Sequence, residues 1–403
     1  MIHKIINHLI ERRLSWRTIG FDDLSSLYAS TMMRSLSISL IGIFIPIYLY
    51  ELGYPLMTIF LFMASLFITR CLADVVSGFL VGRFGAKHIM IASYGGYVAT
   101  FLLLLGLSKY ELPLALIAVV WGLANSMFFV AYHVDFSKIM HHGRGGKELS
   151  SMSILERIGS AFGPVVGGVV ATLFGAEYTI IAATVVLAAA SVPLILSPTP
   201  DRTRQKLNLR SLPFSKLKRD FLSYFMFSSS NNVSVGIWPL FLAVAIFVDG
   251  TYAAVGLVTT IGVVAAIVST RLIGRVVDRK QGGELLKISS IGQVVVNLIR
   301  PFVTGMGGAI AVNIIDQSVI SGIKLPYTKG MYDRSDSLPE HRIAYIVAME
   351  AVGDAGKVLS WLLLALIAIL VPAVLAMKFM FVVAALLTTL VLIQNFPALG
   401  GRR

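Results

Sequence analysis

Charged side chains recur inside stretches of this sequence that are otherwise apolar. Asp74, Asp135, Glu156, Asp316, Glu350 and Asp354 lie there, and so do Arg34, Arg70, Arg157, Arg271, Arg300, Lys324 and Lys357. A charge at the centre of a bilayer costs roughly 2.5–3.5 kcal/mol, so each is expected to face an opposite charge or a water-filled space. The near balance of sign points to pairing. Carboxylates in such settings can exchange protons, and arginines can hold anionic groups, without a cofactor or a metal. Neither is expected: His141 and His142 are adjacent without a His-x-x-x-His pattern, and no Gly-x-x-x-x-Gly-Lys-Ser/Thr loop offers a nucleotide site. The chain is therefore not expected to be an enzyme or to power itself with ATP.

Helical spacing sorts these groups by face. Ser26, Ser30, Arg34 and Ser37 form one stripe, and Trp121, Asn125, Phe128, Tyr132 and Asp135 another. Ser228, Asn231 or Asn232, and Trp238 make a third, and Asn313, Asp316, Gln317 and Lys324 a fourth. Arg70 and Asp74 stand four residues apart, which predicts an intrahelical pair. Glu350, Asp354 and Lys357 share a face, and the last two can neutralise each other. Glu156 and Glu350 begin their helices, where an acid suits the helix N-terminus or a gate contact to Arg83 or Arg279.

The elements that must position these groups are membrane spans. Of 403 residues, 56% are hydrophobic and 14% charged, and the apolar residues come in long blocks. The predicted spans are 26–50, 57–82, 88–107, 113–136, 151–174 and 178–197, then 221–247, 251–274, 286–305, 308–328, 343–369 and 372–395. An even count puts both termini on one side. With that side cytoplasmic, about 25 basic residues lie inside and about two outside. The formal charge of +13 is spread over all the inner loops, which fits topology and anionic lipid rather than nucleic acid. Residues 1–25 read as a cytoplasmic amphipathic lead-in rather than a signal peptide, and 396–403 as a cytoplasmic tail. Cys71, the single cysteine, falls within a span.

The basic stretch 198–220 is the expected linker between two six-helix halves, 26–197 and 221–395. Internal echoes support that division. Gly78, Gly82, Arg83, Gly85 and Lys87 after the second span correspond to Gly274, Asp278, Arg279 and Lys280 after the eighth. Glu156 and Gly159 in the fifth correspond to Glu350 and Gly353 in the eleventh. The first set resembles the loop signature of the major facilitator superfamily, Gly-x-x-x-Asp-Arg-x-Gly-Arg-Lys/Arg, with Gly82 where the family has Asp. Gly159, Gly163, Pro164, Gly167 and Gly168 resemble that family's antiporter motif in the fifth helix.

The resemblance implies an all-α fold of about twelve transmembrane helices in two pseudo-symmetric bundles, with helices 1, 4, 7 and 10 lining a central cavity. It implies that the signature loops latch the halves together on the cytoplasmic side. Within that fold Asp316 is the first expectation for a coupling carboxylate, its environment set by Asn313, Gln317 and Arg34, with Arg34 also suited to an anionic group. Asp74, Glu156, Glu350 and Asp354 are further proton or gate acids. The expected function is secondary active transport of a small organic solute, proton-coupled efflux first and uptake of an anionic molecule by proton symport second. A receptor or a lipid-translocating protein is the alternative from another class. A monomer in a prokaryotic inner membrane, with both termini cytoplasmic, completes the expectation.

Overall fold

A computed structural model describes residues 23–110, 112–139, 145–197, 207–209, 212–248, 251–278, 282–338 and 341–394. Among them there is no strand. In hydrocarbon a helix satisfies its own backbone polar groups, so long apolar runs have this one open-ended solution. In chain order the spans are α1 (Ser25–Glu51), α2 (Leu56–Phe84), α3 (Ala86–Gly106), α4 (Leu114–Ile139), α5 (Gly145–Ala161 and Gly163–Phe174) and α6 (Ala176–Leu196). The second set is α7 (Phe214–Ile246), α8 (Thr251–Asp278), α9 (Gly282–Ile299), α10 (Met306–Asp336), α11 (Arg342–Leu370) and α12 (Ala373–Ile393). Eleven are long and apolar enough to cross a membrane; α9, with Glu284, Lys287, Gln293 and Asn297, is the exception.

The two sets pack by one scheme. In the first, α1 meets α5 and α6, α2 meets α4, and α3 meets α4 and α6; in the second, α7 meets α11 and α12, α8 meets α10, and α9 meets α10 and α12. The halves join chiefly through α2 against α11 and α5 against α8. Large apolar side chains such as Leu72, Phe79, Leu173 and Phe174 point outward, as a lipid-facing surface requires.

Several boundaries differ from the sequence reading. Residues 214–220, expected in the linker, are the first turns of α7; Asp220 is buried there and pairs with Arg334 at 3.4 Å. Span ten runs on to Asp336 rather than ending at 328, and span nine ends at Ile299 with a 3-10 turn, Arg300–Phe302. Hydropathy marks the hydrocarbon, whereas a helix continues beyond it wherever water satisfies its polar side chains. Of the lead-in 1–25, residues 23–25 already belong to the first helix and 1–22 lie outside the described residues, as does the tail 396–403.

Span α5 breaks at Phe162, because Pro164 has no amide hydrogen to extend the ladder. The neighbouring Val165 N–H donates instead to the Thr260 hydroxyl of α8 at 3.1 Å. Around this break the glycines allow close approach. A Cβ on Gly159, Gly163 or Gly167 would run into Met32, Ser39 or Leu40 of α1. On Gly168 it would reach the Tyr252 carbonyl carbon of α8 at 3.0 Å, and on Gly256 the Pro164 carbonyl carbon at 3.0 Å. The motif therefore splits its contacts between its own half and the other.

Candidate functional site

A cavity of about 440 Å³ lies between the halves, lined from α1, α2, α4, α5, α7, α8, α10 and α11. Its charged wall begins with Arg70 on α2. Its Nη2 donates to Glu350 Oε2 at 2.9 Å, and its Nε forms an ion pair with Asp354 Oδ2 at 2.5 Å, both on α11. Asp354 also accepts from Lys357 at 2.8 Å. On α4, His133 Nε2 lies 3.3 Å from Glu350 Oε1, and its Nδ1 bonds the Tyr332 hydroxyl of α10 at 2.6 Å. Arg70 and His133 from one half thus grip Glu350 of the other, with the Arg70 guanidinium over the Phe129 ring.

This arrangement corrects two expectations. Arg70 turns to α11 rather than to Asp74, whose carboxylate accepts from Ser126 on α4 at 2.7 Å. Glu350 meets Arg70 and His133 rather than Arg83, which is exposed and stacks on Phe84; Arg279 lies outside the described residues. Helical spacing tells which groups share a face, but not which neighbouring helix that face meets.

Asp316 lines the cavity, but its counter-charge is Arg300, not Arg34. Arg300 Nη2 forms an ion pair with Asp316 Oδ1 at 2.7 Å, and Gln293 donates to the same oxygen at 2.7 Å. Arg300, fully buried, also donates to Ser234 and to Asn297, each at 2.6 Å, and lies over Trp238. Gln317 is 3.5 Å away, and Asn313 donates to the Val258 carbonyl. The sequence reading named Arg300 among the intramembrane charges without giving it a partner and missed Gln293 and Asn297, although these two on α9, with Arg300 in the turn after it, make a polar stripe that could have been found.

Arg34 stays within the first half, donating to the Tyr97 hydroxyl at 2.5 Å with its guanidinium 3.7 Å from the Phe128 ring centre. Tyr97 in turn donates to Asn125 at 2.9 Å. Among the expected residues the cavity brings together Tyr132, Asn231, Asp316, Gln317, Glu156 and Glu350. Arg34, Asn125, Asn313 and Trp238 stand behind its wall, as does Asn232, which donates to Ser360 at 2.7 Å. Ser228 and Lys324, members of the expected stripes on spans seven and ten, line it too, and so do Arg157, His133, Tyr224 and Tyr332, which sequence reasoning did not place there.

The residues of the signature loop have separate roles, Gly78 across the seam and Lys87 within the first half. Gly78 lets α2 close on Val347 of α11, Gly85 turns into α3 at φ +90, and Lys87 donates to the Ser197 carbonyl at 2.5 Å. Gly274 and Asp278 occupy the last turns of α8. Among the described residues no group of His, Cys, Asp and Glu is placed to hold a metal ion.

A sequence profile of the Major Facilitator Superfamily matches residues 27–325. No curated protein matches the chain by sequence. Solved structures show the same fold at low identity. The transporter FucP in its outward conformation is 11% identical, covers 93% of this chain and 98% of its own, and superposes with a TM-score of 0.67. The human organic anion transporter TETRAN is 11% identical over 92% and 98%, with a TM-score of 0.68. A bacterial homologue of the iron transporter ferroportin, outward-facing, is 13% identical over 92% and 98%, at 0.67.

Proposed function

The chain belongs to the Major Facilitator Superfamily, and from that premise we propose that it is a proton-coupled secondary transporter carrying a small organic solute through the central cavity by alternating access. The observation that supports this most is the grip of Arg70 and His133 on Glu350 across the seam. When the halves part, Glu350 leaves both partners, and a proton or water must replace them. Proton occupancy and the state of the seam are then linked, because a ligand shifts an equilibrium by its differential affinity for the two states. His133, an imidazole on the cavity wall, is suited to pass that proton.

The glycine-rich motif of α5 supports efflux by antiport. A second reading, uptake by symport, is supported by Arg157 and Lys324 on the cavity wall and by the likeness to FucP of E. coli, a fucose:proton symporter. The face bearing the basic loops is taken as cytoplasmic, in the inner membrane of a prokaryote, with the protein acting as a monomer.

The test uses proteoliposomes with an entrapped pH dye, to which solutes are added outside. Entry by symport acidifies the lumen, and entry in exchange for protons alkalinises it. A solute that moves with no pH change, in wild type and Glu350→Gln alike, would remove proton coupling. Lipid flip-flop without movement of any solute would favour the lipid-translocating alternative.

A further inference from the structure

We propose that Arg157 of α5 and Lys324 of α10 form an anion subsite in the cavity, and that the transported solute is a small organic carboxylate with an aromatic or apolar body. This rests on the transport reading above and adds the chemical class of its solute.

The other cations on the cavity wall are matched, Arg70 by Glu350 and Asp354, and Lys357 by Asp354. The acid Asp316 is matched by Arg300 behind the wall. Among the described residues, Arg157 and Lys324 have no carboxylate within ion-pair distance. Arg157 Nη2 donates to the Ser321 hydroxyl of α10 at 3.0 Å. Lys324 lies one turn beyond Ser321 on the same face of α10, so its ammonium and the guanidinium approach one region from opposite halves. Glu156 shares the wall and acts on both cations electrostatically without pairing to either. One carboxylate against two cations leaves a positive surplus, which a low-dielectric site tolerates poorly until a counter-ion enters.

The forked donors of an arginine suit a carboxylate, and Lys324 adds a point charge. Tyr224 and Phe227, each stacked on Tyr327, give the cavity an aromatic side for the rest of the solute. A volume of about 440 Å³ lies within the range of small-molecule sites. Because the two cations belong to different halves, a bound carboxylate bridges the seam.

The experiment measures equilibrium binding of radiolabelled benzoate and naphthoate to the purified full chain in detergent, without any gradient. Benzylamine and benzyl alcohol serve as cationic and neutral competitors of matching shape. Saturable binding of a carboxylate is expected, with neither competitor displacing it. Arg157→Gln and Lys324→Gln should each weaken it about tenfold or more, Arg157→Lys should weaken it less than Arg157→Gln, and Lys324→Arg should retain most of it. Unchanged melting temperatures of the ligand-free variants separate lost binding from lost folding. The proposal is overturned if neither carboxylate binds, if benzylamine or benzyl alcohol competes equally, or if both glutamine variants bind as wild type. Carboxylate binding that depends on Arg157 and Lys324 but brings no pH-linked flux would leave the subsite standing and remove the coupling.

Discussion

Glu350 and Asp316 are both buried acids next to an arginine, yet their partners lie in different places. Asp316 is held by Arg300, Gln293 and Ser234, all within the second half, so no movement of the halves need disturb it. Asp316→Asn is therefore expected to strand the Arg300 charge and lower stability by roughly 3–5 kcal/mol, and adding Arg300→Gln should restore part of the loss. Thermal melts in detergent of the single and double variants check this; a single variant as stable as wild type would refute it. Glu350 depends on partners across the seam, so Glu350→Gln should abolish pH-gradient-driven flux while leaving downhill exchange measurable. Full uphill flux in that variant, reconstituted at equal density, would move the coupling elsewhere. The sequence made the Asp354–Lys357 contact legible, since three residues along one helix settle it. It could not show that Arg70 prefers α11 to Asp74, because that choice depends on how two separate helices are packed.

Among the elements, α5 does the most with the least side-chain volume. Gly159, Gly163 and Gly167 press on α1, while Gly168 against Tyr252 of α8, and Gly256 of α8 against Pro164, let the two halves touch through backbone alone. Gly168→Val should cost roughly 1–3 kcal/mol of overpacking in the state shown and shift the protein towards opening on the side away from the basic loops. A cysteine at Ser35, which lines the cavity, in a Cys71→Ser background reports this through an impermeant maleimide added from that side. Labelling no faster than in the Gly168 parent would show that the α5–α8 contact does not control that closure. The glycine spacing and Pro164 were plain in the sequence, and so were the apolar blocks of the spans. Less legible were the ends of α7 and α10, where charged residues extend helices past the hydrocarbon, and the partners of the α9 stripe, Asp316 and Ser234, which lie on other helices.

At the scale of the whole molecule, two bundles with one packing scheme meet along α2–α11 and α5–α8, so their relative rotation is the motion the architecture permits most readily. Such a rotation should be slowed by a bound solute that bridges the halves and quickened when Tyr332→Phe removes the His133–Tyr332 bond. Exchange rates at saturating solute, wild type against Tyr332→Phe, measure this; equal rates would show that the bond does not limit the motion. Cys71 sits on the α2 side of the same seam, with its thiol donating to the Ala351 carbonyl of α11 at 3.2 Å. It is the single cysteine in 403 residues. The native chain thus contains one thiol probe at the boundary that must open, and time-resolved alkylation of unmodified protein can follow the working cycle without engineered labels.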